Sequence, residues 1–467
     1  MINTLSSYRS PLLLRATQAI FLFFMFLLLA VNFSTGDSPG NFNYPANYVF
    51  YLTGVPLTLM TLRSAEPCYI LFVIVLALCL PGLIIYTRYS RRNTPSQFAC
   101  DLAALVFLVV WTYGIMLGLA RGNNLLLVIR NFAASIFYVA YFILVFLKIS
   151  PERVFKATYW AAMYVMFLTI ILSVASTLLN VDIQSPGWAL LAGPVIGGGG
   201  TSHARIFCVN QMVLFVLVSI AIYRLISLKR RLLIDLLLAA MAIYATLFVP
   251  AMRGNALAVM VILFCLLLVA AAPLVRLRVS KRFLALLMFI VLGSMVVIAT
   301  SFDDIVRGIF LESAGGNAIR YEQSRILLDE CTVFGKGLGA EISTGYSRAG
   351  EKSYGFEVIY INIFHKYGVF ALLLLASYFY TFYGACRALV RKTIPPEHAC
   401  CALGAMGYTL VAFGNPMLFG PNTILLHCIA LYLIRQGSSP VVQLNMRMTA
   451  QTKPTVAVAA TCVEKTA

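Results

Sequence analysis

Arg253, in the run Arg253-Gly254-Asn255-Ala256-Leu257, and Glu357 each stand at the mouth of an apolar segment, with the only long polar stretch of the chain between them. A charge at such a mouth reaches interfacial water, whereas one at mid-bilayer is costly unless paired. The placement points to chemistry at a membrane surface. A guanidinium binds phosphate oxygens through a planar fork and stays charged, and a carboxylate whose pKa is raised by partial burial can accept a proton. A second reading of Glu357 is a carboxylate at a helix N-terminus, stabilised by the dipole. His365, eight residues on, is either a substitute base or a packed polar residue inside the membrane.

Further cations lie on polar segments. Arg205 follows Gly197 to Gly200, Ser202 and His203 and precedes a new apolar run. It either snorkels to headgroups or, with Arg253, forms a positive pocket suited to a diphosphate. A run of glycines is also what a loop uses where backbone comes close to a ligand. The stretch Ala318 to Cys331 reads as a short helix outside the membrane with Asn317 as N-cap. Its Arg320 and Arg325 are five positions apart and cannot point along one line. Each is open to two roles, a phosphate contact or a salt bridge to Glu322, Asp329 or Glu330. Gly335-Lys336-Gly337-Leu338-Gly339 lacks the ending of a nucleotide loop and is expected to turn the chain back toward the bilayer. Arg130 is the most deeply embedded charge, about one and a half turns from the external end of its segment.

The elements that position these residues follow from composition. A hydrophobic fraction of 61% against 11% charged, with apolar runs recurring along the chain, predicts an all-α polytopic membrane protein. Thirteen apolar segments can be marked: 14–33, 46–62, 68–87, 100–120, 125–147, 156–179, 206–227, 232–250, 256–275, 283–300, 356–381, 402–414 and 420–434. Short cytoplasmic loops retain Lys and Arg, so the clusters around Arg91, Arg153, Arg230, Arg278 and Arg391 define the cytoplasmic side. Basic residues at both ends place both termini there. The even number of spans this demands is met by treating 46–62, broken by Gly54 and Pro56, as re-entrant or interfacial. About twelve spans remain. The expected organisation is N-terminal spans in 1–180, a periplasmic loop at 181–204, spans in 205–300, a large periplasmic loop with short helices at 301–355, spans in 356–436 and a cytoplasmic tail at 437–467. The net charge of +18 sits mostly in the cytoplasmic clusters and implies contact with anionic lipid rather than nucleic acid. The eleven cysteines lie nearly all in apolar segments without metal-site spacing and read as small buried hydrophobes.

Arg253-x-x-x-Leu257, the stretch from Arg320 to the Phe334-Gly-Lys-Gly-Leu-Gly339 run, and the segment from Glu357 through Gly368-Val369-Phe370 resemble the O-antigen ligase and Wzy-type polymerase superfamily across roughly residues 200–380. The resemblance implies a GT-C-like fold in a bacterial inner membrane and transfer of lipid-linked glycans at the periplasmic face. It also implies a polyprenyl-diphosphate-linked donor, a glycan or lipid-linked acceptor, no cofactor, and a chain-length regulator and flippase as associated proteins. Ligases of this family carry a His, followed by Asn, Ser or Gln, eleven residues before the Gly. Here that position is Glu357, followed by Val358, and Ala371 stands where Gly, Thr or Val follows. These departures favour a polymerase, with the ligase that transfers glycan to lipid A core as the alternative. On this reading Glu357 is the general base, Arg253 and Arg205 stabilise the leaving diphosphate, and Arg320, Arg325, His365 and Arg130 contact substrate. A transporter of a lipid-linked sugar is a second alternative, but it calls for sites near the midplane and repeated halves, which the sequence does not display.

Overall fold

The computed structural model describes residues 11–30, 94–131, 133–178, 196–198, 205–207, 209–227, 232–250, 252–271, 314–342, 356, 358–413 and 418–437. These residues are mostly helical. In chain order they form α1 (Pro11–Ala30), α2 (Pro95–Ala120), α3 (Leu125–Arg130), α4 (Val139–Phe146), α5 (Pro151–Leu178), α6 (Leu214–Ile226), α7 (Leu232–Ile243) and α8 (Arg253–Ala271). They continue with α9 (Ala314–Asp329), α10 (Ile359–Tyr367), α11 (Ala371–Arg391), α12 (Pro396–Ala405), α13 (Tyr408–Val411) and α14 (Pro421–Gln436). A two-stranded ladder pairs β1 (Ile196–Gly198) with β2 (Arg205–Phe207), setting Gly198 opposite Arg205.

Three helical stretches among the described residues are long and apolar enough to cross a membrane: Pro95–Ala120, Pro151–Ser176 and Ile359–Arg391. Five shorter apolar helices accompany them. Their outward faces are apolar too: Phe167, Ile171 and Val174 on α5 and Leu233, Leu236 and Leu237 on α7 are exposed. An apolar belt of this kind suits hydrocarbon as solvent, where each helix satisfies its own backbone. The architecture is that of an α-helical membrane protein.

Three spans are fewer than the twelve the sequence suggests, and the difference has two sources. Segments 68–87 and 283–300 lie outside the described residues, as does 46–62, which is not counted among the twelve. Several apolar runs that read as single helices are also broken. Segment 125–147 divides into α3, a 3-10 turn at Ala133–Tyr138 and α4. The run from 206 opens with β2 and a 3-10 turn at Val209–Val213, so its helix starts at Leu214. The cause is polar: Asn210 Nδ2 donates to Ala30 O at 2.7 Å and Gln211 Nε2 to Thr169 Oγ1 at 3.4 Å, contacts that hold the turn against α1 and α5. In 232–250, α7 loosens into a π turn at Tyr244–Phe248, and Asn255 Nδ2 satisfies the Thr246 carbonyl at 2.7 Å. Gly368 divides α10 from α11, and 402–414 is two short helical pieces.

One end of the bundle gathers the charged loops. Gln18 Nε2 donates to Leu147 O at 2.8 Å, His398 Nε2 lies 3.0 Å from Glu152 Oε2, and Arg224 Nε pairs with Glu397 Oε1 at 3.1 Å. Asp101 accepts from Arg435 Nε at 2.9 Å and from the Tyr141 hydroxyl at 2.6 Å, both partners buried. The basic residues Lys148, Arg153, Arg224 and Arg391 therefore share an end. The core between the ends is close-packed, and its buried histidine, His427, is satisfied on both ring nitrogens. Thr381 donates its hydroxyl proton to Ser377 O at 2.8 Å, so it accepts from His427 Nε2–H at 2.7 Å. Nδ1 of the same ring then accepts from Tyr138 Oη at 2.8 Å, which fixes a neutral tautomer.

Candidate functional site

The opposite end of the bundle is where the polar stretch docks. α9 begins at Ala314 rather than after an Asn317 cap, so Gly315, Gly316 and Asn317 lie inside the helix. Arg320 is half-buried and Arg325 exposed, in keeping with their spacing. Burial lowers the Arg320 pKa, though a guanidinium remains charged. The C-terminal half of α9 is pinned by a small apolar cluster of Leu327, Ile342, Phe356 and Val358, with Ile326 and Ile361 packed on it. Phe356 and Val358 are the chain neighbours of position 357. Glu357 itself lies outside the described residues, and its expected role as base falls there with it.

After α9 the glycine run folds against the membrane domain through its backbone. Lys336 N donates to His365 O at 2.8 Å, Gly337 N to Lys366 O at 2.9 Å, Leu338 N to Gly114 O at 2.8 Å, and Val369 N to Val333 O at 2.8 Å. Asn123 Nδ2 donates to both Lys336 O and Leu338 O, and the Tyr113 hydroxyl to Phe334 O at 2.7 Å. The approach is close enough to require glycine on both sides. Gly335 (φ 77°) and Gly368 (φ 56°) face each other, and a Cβ on Gly335 would stand 2.5 Å from the Gly368 nitrogen. Left-handed φ and this contact both exclude a side chain. The run folds onto two candidate membrane-crossing stretches, joining α2 to the α10–α11 junction.

The junction brings together charges that the sequence reading left scattered. Glu330, just past α9, forms an ion pair with Lys336. His365 is fully buried, its Nε2 3.8 Å from Glu330 Oε2, beyond hydrogen-bond reach, and neither ring nitrogen has a hydrogen-bond partner among the described residues. Lys366, also fully buried, donates through its ammonium to Ala340 O. Of these four the sequence marks only His365 as a site candidate, and it offers Glu330 as a partner for the α9 arginines. Lys336 sits between glycines and Lys366 beside an apolar run, and neither pattern signals that the chain returns to bring them together.

Only the backbones of Arg130, Arg205 and Arg253 are described. Arg253 opens α8 at the bundle end bearing the α10 mouth: Gly254 packs on Val411, and the Tyr360 hydroxyl donates to Thr409 O at 2.5 Å, so residues 409–411 bridge the start of α8 to the start of α10. Arg130 ends α3, whose Val128 packs against Gly339 of the glycine run. Arg205 lies in the ladder, whose strand β2 packs against α5. The elements carrying Arg253, Arg320, Arg325, Arg130 and His365 thus converge on one end of the bundle. No model of a known protein family matches the chain, and no curated protein matches it.

Proposed function

We propose that the protein polymerises polyprenyl-diphosphate-linked oligosaccharide repeat units at the membrane face opposite its basic loops, as a polytopic enzyme of about twelve spans. The observation that carries this reading is the apolar cluster of Leu327, Phe356 and Val358, which holds the arginine-bearing α9 against the chain neighbours of Glu357. Together with the start of α8 at Arg253, it supports a site that pairs cations for a diphosphate with one carboxylate for a hydroxyl.

In the proposed reaction the acceptor hydroxyl oxygen attacks the anomeric carbon of the donor sugar. The bond from that carbon to the diphosphate oxygen breaks, and its electron pair stays on the leaving diphosphate. Arg253 and Arg205 stabilise that charge, with Arg320 and Arg325 steering the approaching anion and Arg130 a further substrate contact. Fixed donors aimed at developing charge are the largest rate factor in many enzymes. The acceptor proton passes to the Glu357 carboxylate, and inversion at the anomeric carbon follows from the single displacement. His365 is placed as a buried neighbour of Glu330 and acts by positioning the glycine run.

Loss of the gene tests the reading. A deletion strain accumulates single lipid-linked repeat units if the protein polymerises them. Accumulation of full-length chains on the carrier would instead identify a ligase, and unchanged lipid-linked glycan would discard both.

A further inference from the structure

Val333 and Phe334, at the entry to the glycine run, are 71% and 60% exposed although the backbone around them is tightly held. They are not at the rim of the bundle. Leu338 N is bonded to the carbonyl of Gly114, six residues before the end of α2, about 9 Å along the helix at 1.5 Å per residue. Tyr113, one residue deeper, holds the Phe334 carbonyl. On either side stand outward-facing apolar residues of two candidate spans: Met116 and Val109 on α2, and Val369, Leu372 and Leu373 around the start of α11. Val369 is tied directly to Val333 by its backbone. The exposed pair therefore continues the apolar outer belt across the gap between α2 and α11.

Non-helical backbone at membrane depth is tolerated only where protein satisfies its polar groups. This run meets that condition at Phe334 O, Lys336 N and O, Gly337 N, and Leu338 N and O. Its charge is also managed, because Lys336 is paired with Glu330. A water-exposed loop would need neither a satisfied backbone nor two large apolar side chains pointing outward.

We propose that residues 333–339 are a re-entrant tip and that Val333 and Phe334 contact lipid acyl chains in the leaflet opposite the basic loops. This does not depend on the protein being a glycan polymerase. Photocrosslinking tests it on the full chain: p-benzoylphenylalanine is placed at position 334, at the belt position 373, or at the exposed position 341. The protein is reconstituted in phosphatidylcholine vesicles and irradiated, and the adducts are read by mass spectrometry. Because polar loops stay out of hydrocarbon, phospholipid adducts at 334 should come within about twofold of those at 373 and exceed those at 341 by at least about tenfold. If the variant at 334 aggregates, the same label at 333 decides. Absence of lipid adducts at the position read, or a crosslink to a second copy of the chain in their place, overturns the proposal.

Discussion

The two ends of the bundle are held together by different means. At the end with the basic loops, charges meet partners from other helices: Asp101 with Arg435, Arg224 with Glu397, Glu152 with His398. At the other end, an arginine-bearing helix is held by an apolar cluster, a buried imidazole has no hydrogen-bond partner among the described residues, and the closest contacts are backbone to backbone. The first arrangement joins helices through paired side chains. The second, although Glu330 and Lys336 pair there too, joins its loop to the helices mainly through main-chain bonds and apolar packing.

The most damaging way to probe this contrast is at the carboxylate of the second end. Glu357→Gln keeps shape and removes basicity, so turnover of purified protein on lipid-linked substrate should fall by about 10² to 10⁴-fold with substrate still bound. His365→Ala should be milder. A Gln variant that keeps at least about a third of the rate, beside a dead His365→Ala, would move the base role to the imidazole.

At the paired end, Asp101→Ala strands the buried Arg435 guanidinium and should cost about 3–5 kcal/mol of stability in detergent. Replacing both partners with apolar residues should recover much of that loss. Failure to recover would mean that the pair does more than satisfy itself. A smaller effect is expected at the seam between loop and bundle. Gly368→Ala forces a side chain onto a backbone conformation (φ 56°, ψ −137°) that favours glycine, costing about 1–3 kcal/mol, before its Cβ meets Val333 O. The readout is Cys331, half-buried and with its thiol pKa raised by that burial. In the parent its alkylation rate should keep climbing with pH past the range where an ordinary thiol levels off. In Gly368→Ala it should level off earlier and run faster at neutral pH. Unchanged labelling would show that the seam does not hold the loop. The smallest effect belongs to the solvent-facing pair of Lys156 and Glu152 on α5: Lys156→Ala should change stability by less than about 0.5 kcal/mol.

The class, an α-helical membrane protein, was legible in the sequence because it is compositional. Apolar runs require helices in a membrane. Continuity was harder to read. Asn210, Gln211 and Thr246 each interrupt an apolar run with a polar side chain, and whether such a residue bends the helix depends on a partner elsewhere, such as Asn255 Nδ2 at the Thr246 carbonyl. One local signal was available and overlooked: Thr94-Pro95-Ser96-Gln97 is a capping box, and it fixes the start of α2 with both reciprocal bonds. At the candidate site the glycine spacing showed that backbone must approach something. What it approaches, the carbonyls of His365 and Lys366 and that of Gly114, lies about 30 to more than 200 residues away and leaves no local trace.

The seam described by Lys336, Leu338 and Val333 has a mechanical consequence. Its bonds run through main-chain atoms to α2 on one side and to the α10–α11 junction on the other, so no rotamer change can lengthen it. It works as a crossbar: a tilt of α11 drags the loop and the end of α2 with it. On the other side of this face the tie from α13 to α10 runs through the Tyr360 side chain, which a rotamer change can lengthen, so the two sides of α10 differ in stiffness.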